Sequence, residues 1–460
     1  MKRILVSAAH KSSGKTTVAI GLAASLAARG EIVQPFKKGP DYIDPIWLAL
    51  AAGRSCFNLD PYLSSADEIC AAFVRRMAGA TIGLIEGNKG LHDGLDLHGS
   101  NSNAALAVML DAPVVLVLDA RGMTRGIAPI ILGFQAFEPR TNIAGVILNQ
   151  LGGARHESKL RAVIEHYTSV PVIGALARED ALAIEERHLG LVPGNEAPAA
   201  RERVAAIAAH VARGVDLGRL LEVAASAPAI AVAPPDPARP SSGAPVRIAI
   251  ARDEAFGFYY ADDLEALRDA GAQMVPFSAL RDRRLPQADG LFIGGGFPET
   301  HLDALAANAE LRADIRGRIE SGLPAYAECG GLMYLARGIA WNGRRAEMVG
   351  AIPADIVMHA RPVGRGYVHL RETASAPWAA ATAPGAQPIR AHEFHYSSVE
   401  NLPADTVFAY AVERGHGVDG RHDGIVHRNL LASYTHLRGV AGNPWAPRFV
   451  EFVRSRRHAA

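Results

Sequence analysis

The sequence predicts two α/β domains, the first built on a mainly parallel sheet, joined by a Pro/Ala-rich linker. Three observations carry that expectation. The first half alternates apolar runs of buried-strand length with amphipathic helical stretches, as a parallel sheet with helices on both faces requires. At 224–245, AASAPAIAVAPPDPARPSSGAP, the alternation dissolves into a semi-extended segment rich in proline and alanine. From 246 it restarts, and 460 residues are too many for one core. The expected division is 1–223, the linker 224–245, and 246–460.

The elements follow in order. RILVSA (3–8) reads as a strand before a helix from about Lys15 to Arg29, and EIVQPF (31–36) as a strand before a helix near 45–52. TIGLIE (81–86), PVVLVLD (113–119), IAGVILN (143–149) and VPVIGAL (170–176) are further strands, with helices near 101–111, 125–137 and 157–167. Beyond the linker come VRIAIARD (246–253), a helix at 262–270, a strand at 273–277 and GLFIGGG, again an open-sheet α/β pattern.

Bulk properties exclude several classes. With 48 basic and 47 acidic residues the formal charge is +1, which gives no electrostatic case for nucleic acid or an anionic membrane as partner. Three cysteines without metal-type spacing fit a reducing compartment. MKRILVSAAH reads as a first strand and not as a signal peptide, and no apolar run reaches the length of a membrane span. The expectation is a soluble, cytoplasmic protein.

Two stretches carry chemistry. AHKSSGKTT (9–17) follows the first strand and opens a helix, the context of a phosphate-binding loop. Lys15 would reach the β- and γ-phosphates of a nucleoside triphosphate, Thr16 would hold Mg²⁺, and the backbone of Lys11, Ser12, Ser13, Gly14 and Thr17 would line the phosphates. Ala9 replaces the usual first glycine and Lys11 lies inside the loop, as in a variant branch of such loops. FKKGPDYIDP (36–45) and EGNKGLHDG (86–94) follow the second and third strands. Strand carboxyl ends are where open sheets bind ligands, so Lys37, Lys38, Asp41, Asp44, Glu86 and Asp93 point toward the same crevice, as Mg²⁺ or substrate-positioning groups.

The second stretch is LPAYAECGGLMYL (323–335), a strand, a sharp turn and a helix with Cys329 at the apex and Gly330 and Gly331 behind it. Such an elbow sets a sulfur beside backbone N–H groups on a strained turn, surroundings that favour the nucleophilic thiolate. Upstream, GLFIGGGFPE (290–299) offers Gly294, Gly295 and Gly296, whose N–H groups, with that of Gly330, could stabilise an oxyanion.

The second half resembles a class I glutamine amidotransferase domain, and the whole chain resembles the a,c-diamide synthases that amidate cobyrinic or hydrogenobyrinic acid. The resemblance rests on SSGKTT, FKKGPDYIDP, EGNKGLHDG, GVILNQLGGARHESKL, ERHLGLVP, GGGFPE, AYAECGGLMYL, HEFHYS and ASYTHL, in family order. The first half is also distantly similar to dethiobiotin synthetase, a P-loop NTPase-like enzyme. The resemblance implies that glutamine is attacked by Cys329 with His436 as base and acid, while ATP and Mg²⁺ activate tetrapyrrole carboxylates as acyl phosphates in cobalamin biosynthesis. Asp41, Asp44, Glu86 and Asp93 are carried over as metal, phosphate-transfer or intermediate-handling residues. Related amidotransferases place a Glu two residues beyond the His. Arg438 stands there in this chain, so the sequence assigns no orienting residue.

Asn88, Lys89 and the polar stretch 99–107 differ from the usual corrinoid pattern and keep sirohydrochlorin or sirohaem, or its nickel form, as an alternative substrate. Two readings of another class are a partner-switching ATPase, suggested by Lys11, and a scaffold with a dead glutaminase site. Related two-domain enzymes often pair, which makes a homodimer a further expectation.

Overall fold

A computed structural model describes residues 1–182, 184, 186–187, 190–196, 199–230, 243–379 and 387–457. The chain forms two compact units, Met1–Asp236 and Pro237–Ala460. Of the expected linker 224–245, residues 231–242 lie outside the described residues, as do parts of ERHLGLVP.

The first unit runs β1 (Lys2–Ala8), α1 (Lys15–Ala28), β2 (Val33–Lys38), α2 (Ile43–Ala52), β3 (Phe57–Leu59), α3 (Ala66–Arg76), β4 (Ile82–Glu86), α4 (Asn103–Met109), β5 (Val114–Asp119), α5 (Ile127–Phe137), β6 (Ile143–Leu151), α6 (Ala154–Tyr167) and β7 (Val172–Ala177). A two-residue ribbon, β8 (Glu186–Arg187) and β9 (Gly190–Leu191), precedes α7 (Ala200–Gly214) and α8 (Leu217–Ala225). Seven parallel strands lie in the order β3-β2-β4-β1-β5-β6-β7. The central strands are buried along nearly their whole length, which explains why they read as unbroken apolar runs. β3 and α3 escaped the sequence reading. The helix is nonetheless well signalled, by a capping box between Ser65 and Glu68 and by acidic residues in its first turn and basic ones in its last.

β2 breaks the apolar rule. Its six residues, VQPFKK, are all buried, so Lys37 and Lys38 leave water at the strand's carboxyl end. A lysine tolerates that only with partners. The register supplies one directly, because Lys37 lies beside Glu86 across the β2–β4 pair.

The second unit runs β10 (Val246–Ala251), β11 (Phe256–Phe258), α9 (Ala261–Asp269), β12 (Ala272–Phe277), β13 (Gly290–Ile293), β14 (Gly295–Gly296), α10 (Leu302–Ala307), α11 (Ala309–Glu320), β15 (Ala325–Glu328) and α12 (Gly330–Leu335). It continues with β16 (Gly338–Trp341), β17 (Arg344–Glu347), β18 (Asp355–Met358), β19 (Gly364–Glu372), β20 (Ile389–His395), β21 (Ser397–Glu400), β22 (Val407–Arg414), β23 (His422–His427), β24 (Leu430–Ser433) and α13 (Trp445–Arg457). Its nine-stranded sheet, β12-β10-β13-β15-β24-β23-β22-β19-β20, is parallel from β12 to β24 and antiparallel beyond. β20 shows the cause: its alternating burial buries every second side chain, the pattern of a strand with one open face. Small strands β16, β17, β18 and β21 form a separate sheet.

One face of the large sheet packs an aromatic cluster. Phe292 and Tyr326 stack at 5.3 Å, with Trp445 and Phe449 of α13 against them. Side chains two apart on a strand share a face, so Tyr326 places Glu328 on this same side, away from Ala325 and Ala327. Among the described residues no helix is long and apolar enough to cross a membrane.

Candidate active sites

In the first unit the loop 9–14 leaves β1 and turns into α1 through Gly14 at φ 78°. Only glycine suits both that left-handed backbone and the approach of Asn149, whose Nδ2 would lie 2.3 Å from an added Cβ. Asn149 donates to the Ser13 carbonyl at 2.9 Å, and Ser13 Oγ donates to the His10 carbonyl at 2.9 Å. Ser13 is thus buried inside the turn, whereas Lys11 and Ser12 are exposed at its rim. A cavity of about 300 Å³ opens beside the loop, lined in part by Ser12, Gly14, Thr17, Asn149 and Arg121. Asn149 and Arg121 were not among the expected site residues, although Asn149 lies near the carboxyl end of β6, in GVILNQL.

The expected charges converge at the strand ends. Lys15 Nζ pairs with Glu86 Oε1, and Thr16 Oγ1 donates to the same oxygen at 2.6 Å. Lys37 Nζ pairs with Asp44 Oδ2, lies 3.1 Å from Glu86 Oε2 and 3.8 Å from Asp41 Oδ2. Burial alone would lower the Lys37 amine, but Asp44, Glu86 and Asp41 outweigh it and hold the group above its ordinary value. At Lys15 burial prevails over Glu86, and the amine is lowered. Asp41 Oδ1 meanwhile accepts the N–H groups of Ile43 and Asp44 at 2.9 and 3.1 Å, tying down the start of α2.

Two of the expected residues stand apart. Asp93 accepts the Gly90 N–H at 2.9 Å and so braces its own loop. Lys38 donates to Asn88 Oδ1 at 3.0 Å, and burial pushes its amine down to about 8. Asn103 holds the Asn88 backbone from both sides, accepting its N–H at 3.0 Å and donating to its carbonyl at 2.5 Å. Asn88 is therefore held by Asn103 of the 99–107 stretch and by Lys38. Among the described residues no three His, Cys, Asp or Glu side chains gather to hold a metal. Thr16 Oγ1, Glu86 and Asp44, 3.4 Å from that hydroxyl, still form an all-oxygen set of the kind Mg²⁺ takes when phosphates complete its shell.

In the second unit, Cys329 sits between β15 and α12 at φ 49°, ψ −106°. A non-glycine residue there costs about 1–3 kcal/mol and persists only when its surroundings fix it. They do: the Cys329 N–H donates to the Ser433 carbonyl at 2.7 Å, and its carbonyl accepts from Met333 at 3.1 Å. Cys329 is 6% exposed.

His436 follows β24, the parallel neighbour of β15, with Glu328 opposite Ser433. Its turn is moored by Asp423, whose carboxylate accepts the N–H groups of Tyr434 and Thr435 at 3.0 Å each. The backbone of His436 donates to the His392 carbonyl at 2.8 Å, and His395 and Ser397 of the same HEFHYS stretch hold Tyr434 beside it. Burial would lower the imidazole, but hydrogen bonds to Cys329 and Glu328 hold it up, to about 10. Gly295 lies beneath this ring, since a Cβ on it would meet His436 Cε1 at 2.7 Å.

One expectation fails. The Gly294 N–H is not available to an oxyanion, because it donates to Tyr259 Oη at 3.0 Å while that hydroxyl donates to the Ala251 carbonyl at 2.6 Å. Gly295 and Gly296 form β14 against β11, and Gly330 opens α12 with its Cβ position 2.9 Å from Gly296 N. Arg438 turns away from His436, pairs with Asp262 and lies over the Tyr260 ring.

Residues 4–192 match the CobQ/CobB/MinD/ParA nucleotide binding domain, and 247–443 the CobB/CobQ-like glutamine amidotransferase domain. Over 459 residues the chain is 48% identical to the cobyrinate a,c-diamide synthase of Magnetococcus marinus, covering 99% of this chain and 97% of that one. This chain belongs to the cobyrinate a,c-diamide synthase family. The family member from Methanosarcina acetivorans is 40% identical over 475 residues, covering 98% and 95%. That from Picrophilus torridus is 41% identical over 453 residues, covering 98% of each. These cobyrinate a,c-diamide synthases carry the corrinoid name and do not favour the sirohaem alternative, and the amidotransferase match does not favour a partner-switching ATPase.

Proposed function

We propose that this chain amidates the a and c acetate carboxylates of cobyrinate or hydrogenobyrinate, using ATP and glutamine, in cobalamin biosynthesis. The observation that carries the reading is the likeness to cobyrinate a,c-diamide synthases along the whole chain. The phosphate loop and the thiol elbow supply the two half-reactions. The amidoligase is read in the first unit, with α8 carrying it through Ala225 and so past the expected boundary at 223, and the glutaminase in 246–460.

In the glutaminase, Cys329 Sγ attacks the side-chain amide carbon of glutamine. The C–N bond breaks as His436 passes its proton to the departing nitrogen, releasing ammonia. Water then cleaves the thioester to glutamate and restores the thiol. Gly295, Gly296 and Gly330 are the oxyanion candidates that remain once Gly294 is spent on Tyr259.

In the amidoligase, a substrate carboxylate oxygen takes the terminal phosphoryl group of ATP, and ADP leaves. Ammonia attacks the acyl phosphate, the C–N bond forms, and phosphate departs. Lys15 and Lys37 neutralise the charge spread over the phosphoryl oxygens, which is most of what such a transfer asks of a protein. Thr16, Glu86 and Asp44 would hold Mg²⁺, which when bound screens the phosphates. Asp41 and Asp93 shape the loops at the strand ends. The three unpaired cysteines suit a reducing, cytoplasmic setting.

The test is incubation with ATP, Mg²⁺ and glutamine plus, separately, cobyrinic acid, hydrogenobyrinic acid or sirohydrochlorin, followed by mass spectrometry. Each amidation exchanges a hydroxyl for an amino group, a loss of about 1 Da. Two such losses from a corrinoid acid are expected, and none from any of the three substrates would overturn the reading.

A further inference from the structure

We propose that Glu328, the residue immediately before the nucleophile, is the carboxylate that positions His436. This rests on the glutaminase reading above. The place two residues beyond the histidine, where related amidotransferases carry that carboxylate, holds Arg438, whose guanidinium is committed to Asp262. From the opposite side Glu328 Oε2 stands 3.2 Å from His436 Nδ1. A carboxylate only accepts, so this contact places a proton on Nδ1 and leaves Nε2 to face the thiol.

The carboxylate is itself fixed. Glu328 Oε1 accepts from Tyr326 Oη at 2.6 Å and from the Leu437 N–H at 3.0 Å, and the residue is 4% exposed. The backbone explains the arrangement. Side chains alternate along β15, so Glu328 projects to the face of Tyr326. The chain then turns sharply at Cys329, and the next side chain points elsewhere. Two consecutive residues can therefore reach the same imidazole from different sides, the thiol at one nitrogen and the carboxylate at the other. A buried glutamate against a histidine ring also stabilises the imidazolium needed when ammonia departs.

Other ionisable groups around the ring are Cys329 itself, His392 of β20 and, near Glu328, Asp263 of α9 beside Arg438. Burial pushes His392 down to about 3 and Asp263 up to about 7, so neither titrates on the alkaline side. The alkaline limb of the glutaminase pH profile thus reports the coupled Cys329–His436 pair.

The test compares Glu328→Gln and Glu328→Asp with wild type in ammonia release from glutamine and in ATP-dependent amidation driven by ammonium salts. For Glu328→Gln we expect kcat for glutamine to fall about 10²–10⁴-fold with KM within about threefold. The alkaline limb should move at least one pH unit lower, while ammonium-driven amidation stays within about twofold. Glu328→Asp keeps the charge at shorter reach, so it should retain the wild-type limb and recover part of kcat. A wild-type kcat in Glu328→Gln, or a loss of kcat with the limb unmoved, would overturn the proposal. If Glu328→Gln does not fold, a wild-type kcat in Glu328→Asp would do so. Should Cys329→Ala release ammonia as fast as wild type, the glutaminase reading itself fails. Should only that variant be impaired, the role of Glu328 alone fails.

Discussion

The two sites are held together by opposite means. At the strand ends of the first unit, long charged side chains hold one another: Lys15 and Lys37 share Glu86, and Asp44 and Asp41 complete the web. At the thiol elbow the backbone does most of the holding, through the strained turn at Cys329, the moored 433–437 segment and glycines too tightly packed for a Cβ. The contrast matches the chemistry proposed for each. Phosphoryl transfer asks for neutralised charge within a few ångströms, whereas attack by sulfur asks for one direction of approach.

The sharpest way to break this comparison is at the sulfur. Cys329→Ala should lower glutamine-dependent amidation by about 10⁴-fold or more, the scale seen when a nucleophile is removed, while ammonium salts still support the reaction. Loss with both donors would make Cys329 a packing residue. Next in size, Lys15→Ala should cost about 10³-fold in amidation with either nitrogen donor, yet leave ammonia release from glutamine measurable. Equal loss of both activities would show the two sites to be inseparable.

A third variant probes stability. Lys37 is 1% exposed between carboxylates, so Lys37→Met should destabilise the first unit by about 3–5 kcal/mol in chemical denaturation. A loss under about 1 kcal/mol would mean that Lys15 alone can neutralise Glu86. A fourth probe is pH. Although burial lowers it, hydrogen bonds to Cys329 and Glu328 push the His436 imidazole up from its ordinary 6.5 to about 10. Its contribution is therefore fully present below pH 6.5 and is lost as pH climbs through 10. The thermal midpoint of the second unit should fall across that window, and His436→Gln should flatten the fall.

Much of this was legible in the sequence because local pattern and local structure coincide. The phosphate loop is a contiguous strand, turn and helix, and so is the elbow at Cys329. Glu328 stands beside the nucleophile, yet the family pattern puts the orienting carboxylate after the histidine and so points past it. Only the β15–β24 register, which sets Glu328 opposite Ser433, brings it within reach of His436 Nδ1. Asp423 is invisible for the same reason: it braces the His436 turn from a neighbouring strand. Gly294 misled because a glycine run announces accessible N–H groups but cannot say that Tyr259 occupies one. The antiparallel half of the second sheet gave little signal, since β19 and β23 carry glycines and, β20 apart, burial along these strands does not alternate cleanly.

The backbone at Cys329 has one more consequence. At φ 49° and ψ −106° this peptide would be more comfortable carrying no side chain at all. Selection for turnover and selection for thermal endurance therefore pull against each other at a single position. A descendant freed from the need to hydrolyse glutamine would gain robustness by letting the sulfur go.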